Sequence, residues 1–272
     1  MIAFGDAFRL TLLTDDIGLA QHADRAGVER IGVDLERIGK ADRQAGLDTR
    51  LSRHTVEDLA RIAGATRHAR AFARVNPIHP DSAAEVEAVL AAGAGVVMLP
   101  FFRTVAEVER FVHMVDGRAQ VMLLVETGAA LVRLRDILAV PGIGEVMVGL
   151  NDLRLQLGVA SHFEVLASPV LDGVAAEVRR AGLPFSVGGI ARIDDASLPI
   201  PPDLVLAQYP RLHATGAWIS RSFLGAMPVA CDLSADIAAA RRRLTEWSLA
   251  APESLEEARR DLAARSRAIA RA

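Results

Sequence analysis

The stretch SAAEVEAVLAAGAGVVMLPFFRTVAEVERFVHMVDGRAQVMLLVE, residues 82–126, holds two helix–strand units in succession. Ser82–Ala92 carries apolar residues at helical spacing and is closed by Gly93. Gly95–Leu99 is then a short apolar run without polar alternation, ended by Pro100. The pattern repeats at once: Thr104 opens a helix through Val115, and Val121–Glu126 is apolar until its last residue. A strand that is apolar throughout is buried on both faces, as in a parallel sheet sheathed by helices.

The same alternation extends in both directions. Towards the N-terminus the expected strands are Phe8–Leu13, Arg30–Leu35 and Ala71–Val75, with helices over Gln21–Gly27 and Thr55–Thr66. Towards the C-terminus the expected strands are Glu145–Leu150, Phe185–Gly188 and Leu204–Gln208, with helices over Ala129–Ala139 and Pro169–Ala181. Eight such repeats predict an α/β fold of the closed (β/α)8 type, a TIM barrel. An open doubly wound sheet is the runner-up. It asks for a glycine-rich turn after the first strand, and Leu13-Thr-Asp-Asp-Ile-Gly18 is a poor match. Residues 234–272 contain no strand-like run and read as two helices broken near Pro252. The expected organisation is a barrel domain over 1–233 with a C-terminal helical extension over 234–272.

The chain has 272 residues, 51% of them hydrophobic, which suffices for one large core. Only 4% are aromatic, so small and branched side chains must fill it. The net charge of −3 gives no basic surface for nucleic acid. The arginines of 241–243 and 259–271 alternate with Ala, Leu and acids at helical spacing and read as solvated helix faces. A single cysteine, Cys231, excludes an intramolecular disulfide and fits a reduced cytoplasmic setting; it reads as structural. No apolar run is long enough to span a bilayer, and no signal peptide is apparent.

In a barrel, function collects where strands end. The second strand ends in Asp34-Leu-Glu36-Arg37, the third in Arg74-Val-Asn76, the fifth in Glu126-Thr127, and the sixth runs into Gly149-Leu-Asn151-Asp152. Glu126 and Asp152 follow consecutive strands. Two neighbouring carboxylates repel unless a cation joins them, and a hard divalent ion such as Mg2+ or Mn2+ does so. The alternative is that Glu126 pairs with an arginine and Asp152 caps the following helix. Arg74 offers a planar fork for a carboxylate or enolate, or else a salt bridge to Asp34 or Glu36. His54 is a general-base candidate or an exposed neighbour of the Thr55 cap. Asp34 and Glu36 are candidates for orienting metal-bound water or shuttling a proton. Lys40 and Arg43 can hold an acidic substrate tail or are loop charges. His79 is a weak candidate, and Ser220-Arg221-Ser222 can close the barrel mouth.

Taken in order, Arg74-Val-Asn-Pro77, Gly93-Ala-Gly-Val-Val-Met-Leu-Pro100, Val125-Glu-Thr127, Pro141-Gly-Ile143 and Gly149-Leu-Asn-Asp-Leu153 with Gly158 resemble the HpcH/HpaI aldolase and citrate lyase β-subunit family. The resemblance covers roughly residues 30–225. It implies that Glu126 and Asp152 bind Mg2+ or a similar divalent ion and that Arg74 holds the 2-oxo acid or its enolate. It implies too that backbone N–H groups around Gly149, Asn151, Asp152 and Leu153 receive the substrate carboxylate. Arg37 follows the acidic pair where the aldolases of the group have histidine, and Phe101 follows Pro100 where the CoA-lyase branch commonly shows lysine.

The function so implied is a metal-dependent carbon–carbon lyase of the aldolase type, acting on a pyruvate-like 2-oxo acid with an aldehyde or thioester as partner. An acyl-CoA lyase, a phosphoenolpyruvate-using transferase and a non-catalytic barrel are the alternatives. Ile237, Ala240, Leu244 and Trp247 form an apolar stripe on the tail, which predicts a homo-oligomer with the tail lying on another subunit; the alternative is a tail packed on its own barrel.

Overall fold

In the computed structural model, which describes residues 2–40, 52–225 and 233–269, eight parallel strands close a barrel in chain order. They are β1 (Arg9–Leu13), β2 (Arg30–Asp34), β3 (Arg70–Arg74), β4 (Val96–Leu99), β5 (Gln120–Val125), β6 (Ile143–Val148), β7 (Phe185–Ile190) and β8 (Gly216–Ile219). The expected (β/α)8 architecture with C-terminal helices is therefore the observed one. The chain forms two compact units, Leu12–Met147 and Met1–Thr11 with Val148–Ala272.

In Leu12–Met147, β2 to β5 run side by side in parallel, with Ile31 opposite Ala71, Phe72 opposite Val96, and Val97 opposite Val121. These residues are the unbroken apolar runs of the sequence, and nearly all are fully buried. Gly32 is required where it stands, because a Cβ there would lie 1.7 Å from the Phe72 carbonyl oxygen. The helices Val56–Ala65 and Val105–Val115 each begin with a capping box, at Thr55 with Asp58 and at Thr104 with Glu107. The first helix starts earlier than the sequence suggests, at Ile17 rather than Gln21, because Asp16 Oδ1 accepts the Leu19 N–H at 3.0 Å and caps it. The helix expected over Ala129–Ala139 is two short ones, Gly128–Val132 and Leu134–Leu138, parted at Arg133.

In the other unit, β8 pairs with both β1 and β7, and the β7 pairing carries a register shift between Ser186 and Gly189. The eighth strand is not Leu204–Gln208. That segment is helical, in Pro202–Leu206 and Gln208–Arg211, and β8 is the later run Gly216–Ile219. Proline at the first helical position and Asp203 in the first turn favour a helix start over a strand. Likewise β6 stops at Val148, and Leu150 already belongs to the helix Leu150–Leu157.

The tail is two helices, Leu233–Ser248 and Pro252–Ile269, as expected from Pro252. Leu233, Ile237, Ala240 and Leu244 lie one or two turns apart and are all buried. Their helix packs on the segments Phe4–Ala7 and Pro202–Leu206. Gly5 makes the first contact possible, since a Cβ there would lie 1.8 Å from the Arg241 carbonyl oxygen. Asp203 fastens the second by accepting from Arg243 Nε at 2.6 Å and Trp247 Nε1 at 2.9 Å. The positions Ile237, Ala240 and Leu244 of the stripe expected on another subunit are thus covered by the chain's own helices. Among the described residues no helix is long and apolar enough to cross a membrane.

Candidate active site

Four of the residues singled out in the sequence meet in the unit Leu12–Met147. Asp34 ends β2 and Arg74 ends β3, opposite each other in register. Their side chains form a two-pronged pair: Arg74 Nε donates to Asp34 Oδ1 at 2.8 Å and Nη2 to Oδ2 at 2.6 Å. Lys40 Nζ lies 2.8 Å from Asp34 Oδ2 and 3.2 Å from Glu36 Oε2, and Arg74 Nε lies 3.6 Å from the same Glu36 oxygen. Asp34, Glu36 and Lys40 are buried, and the Arg74 side chain is 14% exposed.

Burial alone opposes ionisation of Asp34, but the Arg74 and Lys40 charges outweigh it and hold its carboxyl far below the usual carboxylate range. Burial likewise opposes the charge on Arg74, and Asp34, Glu36 and Glu126 outweigh it in turn and raise its pKa. Among the described residues, the carboxylates Asp34, Glu36 and Glu126 all act on the Arg74 charge. Asp34 is a fully ionised, weakly basic group, suited to holding Arg74 rather than to taking a proton.

Glu126 follows β5 directly and is buried. Its Oε1 accepts the Phe101 N–H at 3.0 Å. Phe101 has φ 50°, a left-handed conformation that a bulky side chain adopts only when its surroundings impose it. Thr127 then ties the turn, donating to the Phe102 carbonyl at 2.8 Å and capping the helix Gly128–Val132. The strained Phe101 amide that orients Glu126 was not visible in the sequence, where Phe101 marked only a departure from a motif.

The loops after β2 and β3 are joined by Asn76. Its Oδ1 accepts the N–H groups of Arg37 at 2.8 Å and Ile38 at 2.9 Å. Glu85 fixes Asn76 in turn, accepting from Nδ2 at 2.7 Å, and His79 Nε2 lies 3.0 Å from the same carboxylate. His79 is therefore a partner of a supporting carboxylate. Arg37 Nη2 donates to the His54 carbonyl at 2.9 Å, and His54 Nδ1 accepts the Asp34 N–H at 3.0 Å.

In the other unit, the glycine–aspartate turn is the start of the helix Leu150–Leu157. Gly149 is its N-cap, with no side-chain cap, and Asp152 lies buried in the first turn. Asp152 is therefore not the helix cap. The Leu153 N–H donates to the Gly149 carbonyl at 3.1 Å and its side chain is buried, which removes Leu153 from the set of amides open to a substrate. Asn151 Oδ1 accepts from Arg154 Nε at 3.1 Å. Ser220 caps the helix Arg221–Leu224 and meets Ser222 at 2.7 Å, a structural use of that triplet. Arg43 and Cys231 lie outside the described residues.

Among the described residues no three His, Cys, Asp or Glu side chains form a group able to hold a metal ion. The donor set named from the sequence is smaller: two buried carboxylates, Glu126 and Asp152. Hard oxygen donors in that number suit Mg2+ or Mn2+, which keep other positions for water and substrate oxygens.

The fold and the charged strand ends define a (β/α)8 barrel of the kind that carries its chemistry at the C-terminal ends of its strands. The pattern of the HpcH/HpaI aldolase/citrate lyase family matches residues 19–185, more than half of the chain, and the chain belongs to that family. Among solved structures, an HpcH/HpaI aldolase/citrate lyase family protein from Burkholderia cenocepacia J2315 is similar at a TM-score of 0.62 and 18% identity, over 89% of this chain and 95% of that one. An HpcH/HpaI aldolase from Desulfitobacterium hafniense DCB-2 is similar at 0.60 and 17%, over 79% and 86%. A citrate lyase from Burkholderia xenovorans LB400 is similar at 0.60 and 16%, over 100% and 96%. At these identities the likeness concerns the fold. No curated protein matches the chain in sequence.

Proposed function

We propose that the chain is a divalent-metal-dependent lyase that breaks or forms the carbon–carbon bond next to a pyruvate-like 2-oxo acid, with Glu126 and Asp152 as the protein ligands of Mg2+ or Mn2+. The observation that carries this reading is the gathering of the buried carboxylates Asp34, Glu36 and Glu126 around the Arg74 guanidinium, in a chain of the aldolase/citrate lyase family. The carboxylate oxygens of Glu126 and Asp152 are hard donors, the kind that Mg2+ and Mn2+ prefer. When bound, the ion supplies Lewis-acid stabilisation of the 2-oxo acid's oxygens.

The chain's own groups do the rest. Asp34 locks the Arg74 guanidinium, which presents a fixed positive charge to an oxygen that becomes negative as the enolate forms. The Gly149, Asn151 and Asp152 amides at the start of the helix Leu150–Leu157 suit the substrate carboxylate. An aldehyde is the electrophile in the aldolase form of the reaction, and a thioester in the lyase form.

The test is a screen of pyruvate and oxaloacetate against aldehydes and acyl-CoA thioesters, with Mg2+, with Mn2+ and with chelator. Turnover of one electrophile class that disappears with chelator is the expected result. Equal turnover in chelator, or none in any combination, overturns the reading.

A further inference from the structure

His54 is pinned on several sides. Its backbone N–H donates to Ser52 Oγ at 3.1 Å, its carbonyl accepts from Arg37 Nη2 at 2.9 Å, and the capping box of Thr55 and Asp58 fixes the chain immediately after it. Its ring is held as well, because Nδ1 accepts the Asp34 backbone N–H at 3.0 Å. That contact has a chemical consequence. A ring nitrogen that accepts a hydrogen bond carries no proton, so the neutral imidazole has its hydrogen on Nε2. A proton added at Nδ1 would set two N–H groups against each other.

We infer that His54 is a hydrogen-bond donor through Nε2–H and not the proton-abstracting base, and that Asp15, at the end of β1, is the second residue of this arrangement. Asp15 Oδ1 lies 3.9 Å from His54 Nε2, and its side chain is 58% exposed against 15% for His54. The carboxylate attracts the Nε2–H while standing far enough away to leave room for a better acceptor. A substrate oxygen is that acceptor. When the carbon–carbon bond breaks in the aldolase form of the reaction, the departing carbinol becomes an aldehyde by giving its hydroxyl proton to solvent water, the bond's electron pair moves onto the carbonyl of the 2-oxo acid, and the oxygen that gains the charge draws the Nε2–H without taking the proton. The same β2 end then supplies two fixed donors, Arg74 through the Asp34 carboxylate and His54 through the Asp34 amide. Asp34 thus positions both, one by side chain and one by backbone.

This inference rests on the proposed lyase reading for the role of His54 in turnover, but the ring's hydrogen-bonding state does not. The first measurement is therefore independent of activity: long-range 1H–15N correlation spectra of the full chain at pH 7.5, with the His54 ring assigned by comparison with His54→Gln. The expected spectrum shows Nδ1 unprotonated and Nε2 protonated, and a ring carrying its hydrogen on Nδ1 overturns the inference. The second measurement is kinetic, with the substrate pair found in the screen. Glutamine keeps an N–H donor but cannot act as a base near neutral pH. His54→Gln is expected to stay within about tenfold of wild-type kcat/KM and His54→Ala to lose on the order of a hundredfold. Equal, near-complete loss in both variants, together with loss of the ascending limb of the pH–rate profile, would show a base. If the screen finds no substrate, the lyase reading fails while the spectrum still decides the ring.

Discussion

Strand β2 carries a buried charge at each end, and the two ends are built differently. At its start, Arg30 meets Glu145 of β6 as a two-pronged pair, Nη1 to Oε1 at 3.0 Å and Nη2 to Oε2, with both residues at most 2% exposed. At its finish, Asp34 meets Arg74 in the same two-pronged way, but Lys40 and Glu36 join and the Glu126 charge reaches the arginine. The first is an ion pair sealed in the core, with Gln120 Nε2 also donating to Glu145 at 3.4 Å. The second is a cluster of several buried charges and leaves its arginine partly exposed. A pair sealed from solvent can only hold the structure together, whereas a partly exposed arginine can also meet a ligand. That division matches the general assignment of stability to the bottom of a barrel and chemistry to the top.

The sharpest way to break the comparison is at the bottom. Glu145→Leu strands a buried guanidinium, so unfolding free energy should fall by about 3–5 kcal/mol. Adding Arg30→Met should restore most of that loss, with activity per folded molecule unchanged in the double variant. Denaturant titration measures both, and a double variant as unstable as the single one contradicts a closed, purely structural pair.

At the top the effects should appear in activity. Glu126→Gln and Asp152→Asn are each expected to lower metal-dependent turnover by at least about a hundredfold, roughly 2.7 kcal/mol, and to weaken Mn2+ binding while the melting curve stays near that of the parent. Normal Mn2+ affinity, measured by titration calorimetry, would remove the residue from the site. Arg74→Lys keeps the charge and loses the fork, so kcat/KM should fall ten- to a hundredfold, about 1.4–2.7 kcal/mol. Parental kinetics would make Arg74 a structural partner of Asp34, the counterpart of Arg30 below.

The smallest expected effect is on the acid limb of stability, because a single carboxyl among 34 acidic residues is concerned. Asp34 is held below its unfolded pKa, so its contribution is complete above about pH 4 and is lost as pH falls from there towards the depressed folded value. Stability measured below pH 4 should therefore decline less steeply in Asp34→Asn than in the parent, and identical slopes would show that the Arg74–Asp34 pair does not drive acid unfolding.

Much of this was written locally. Apolar runs such as Val96–Leu99 and Val121–Val125 announce strands buried on both faces, and Thr55 and Thr104 announce helices, because burial and capping depend on neighbours in the chain. Strand ends carrying Asp34, Arg74 and Glu126 are legible for the same reason once the barrel is expected. The exception is instructive: Leu204–Gln208 is as apolar as a strand, yet Pro202 and Asp203 start a helix there that packs against the tail, and the four residues of Gly216–Ile219 pair with β1 and β7 instead.

What remained hidden depends on residues far apart in sequence. That Arg74 is held by Asp34, that Phe101 turns left-handed to give Glu126 an amide, and that His54 receives one on Nδ1 all follow from the pairing of neighbouring strands and the loops at their ends, which no local pattern encodes. The same holds for the tail. Its amphipathic stripe, Ile237, Ala240 and Leu244, determines that the helix must be covered, but says nothing of what covers it; the steric gap at Gly5 and the carboxylate of Asp203 make the chain itself the partner. Apolar periodicity sets what must be buried, and three-dimensional complementarity alone selects against what.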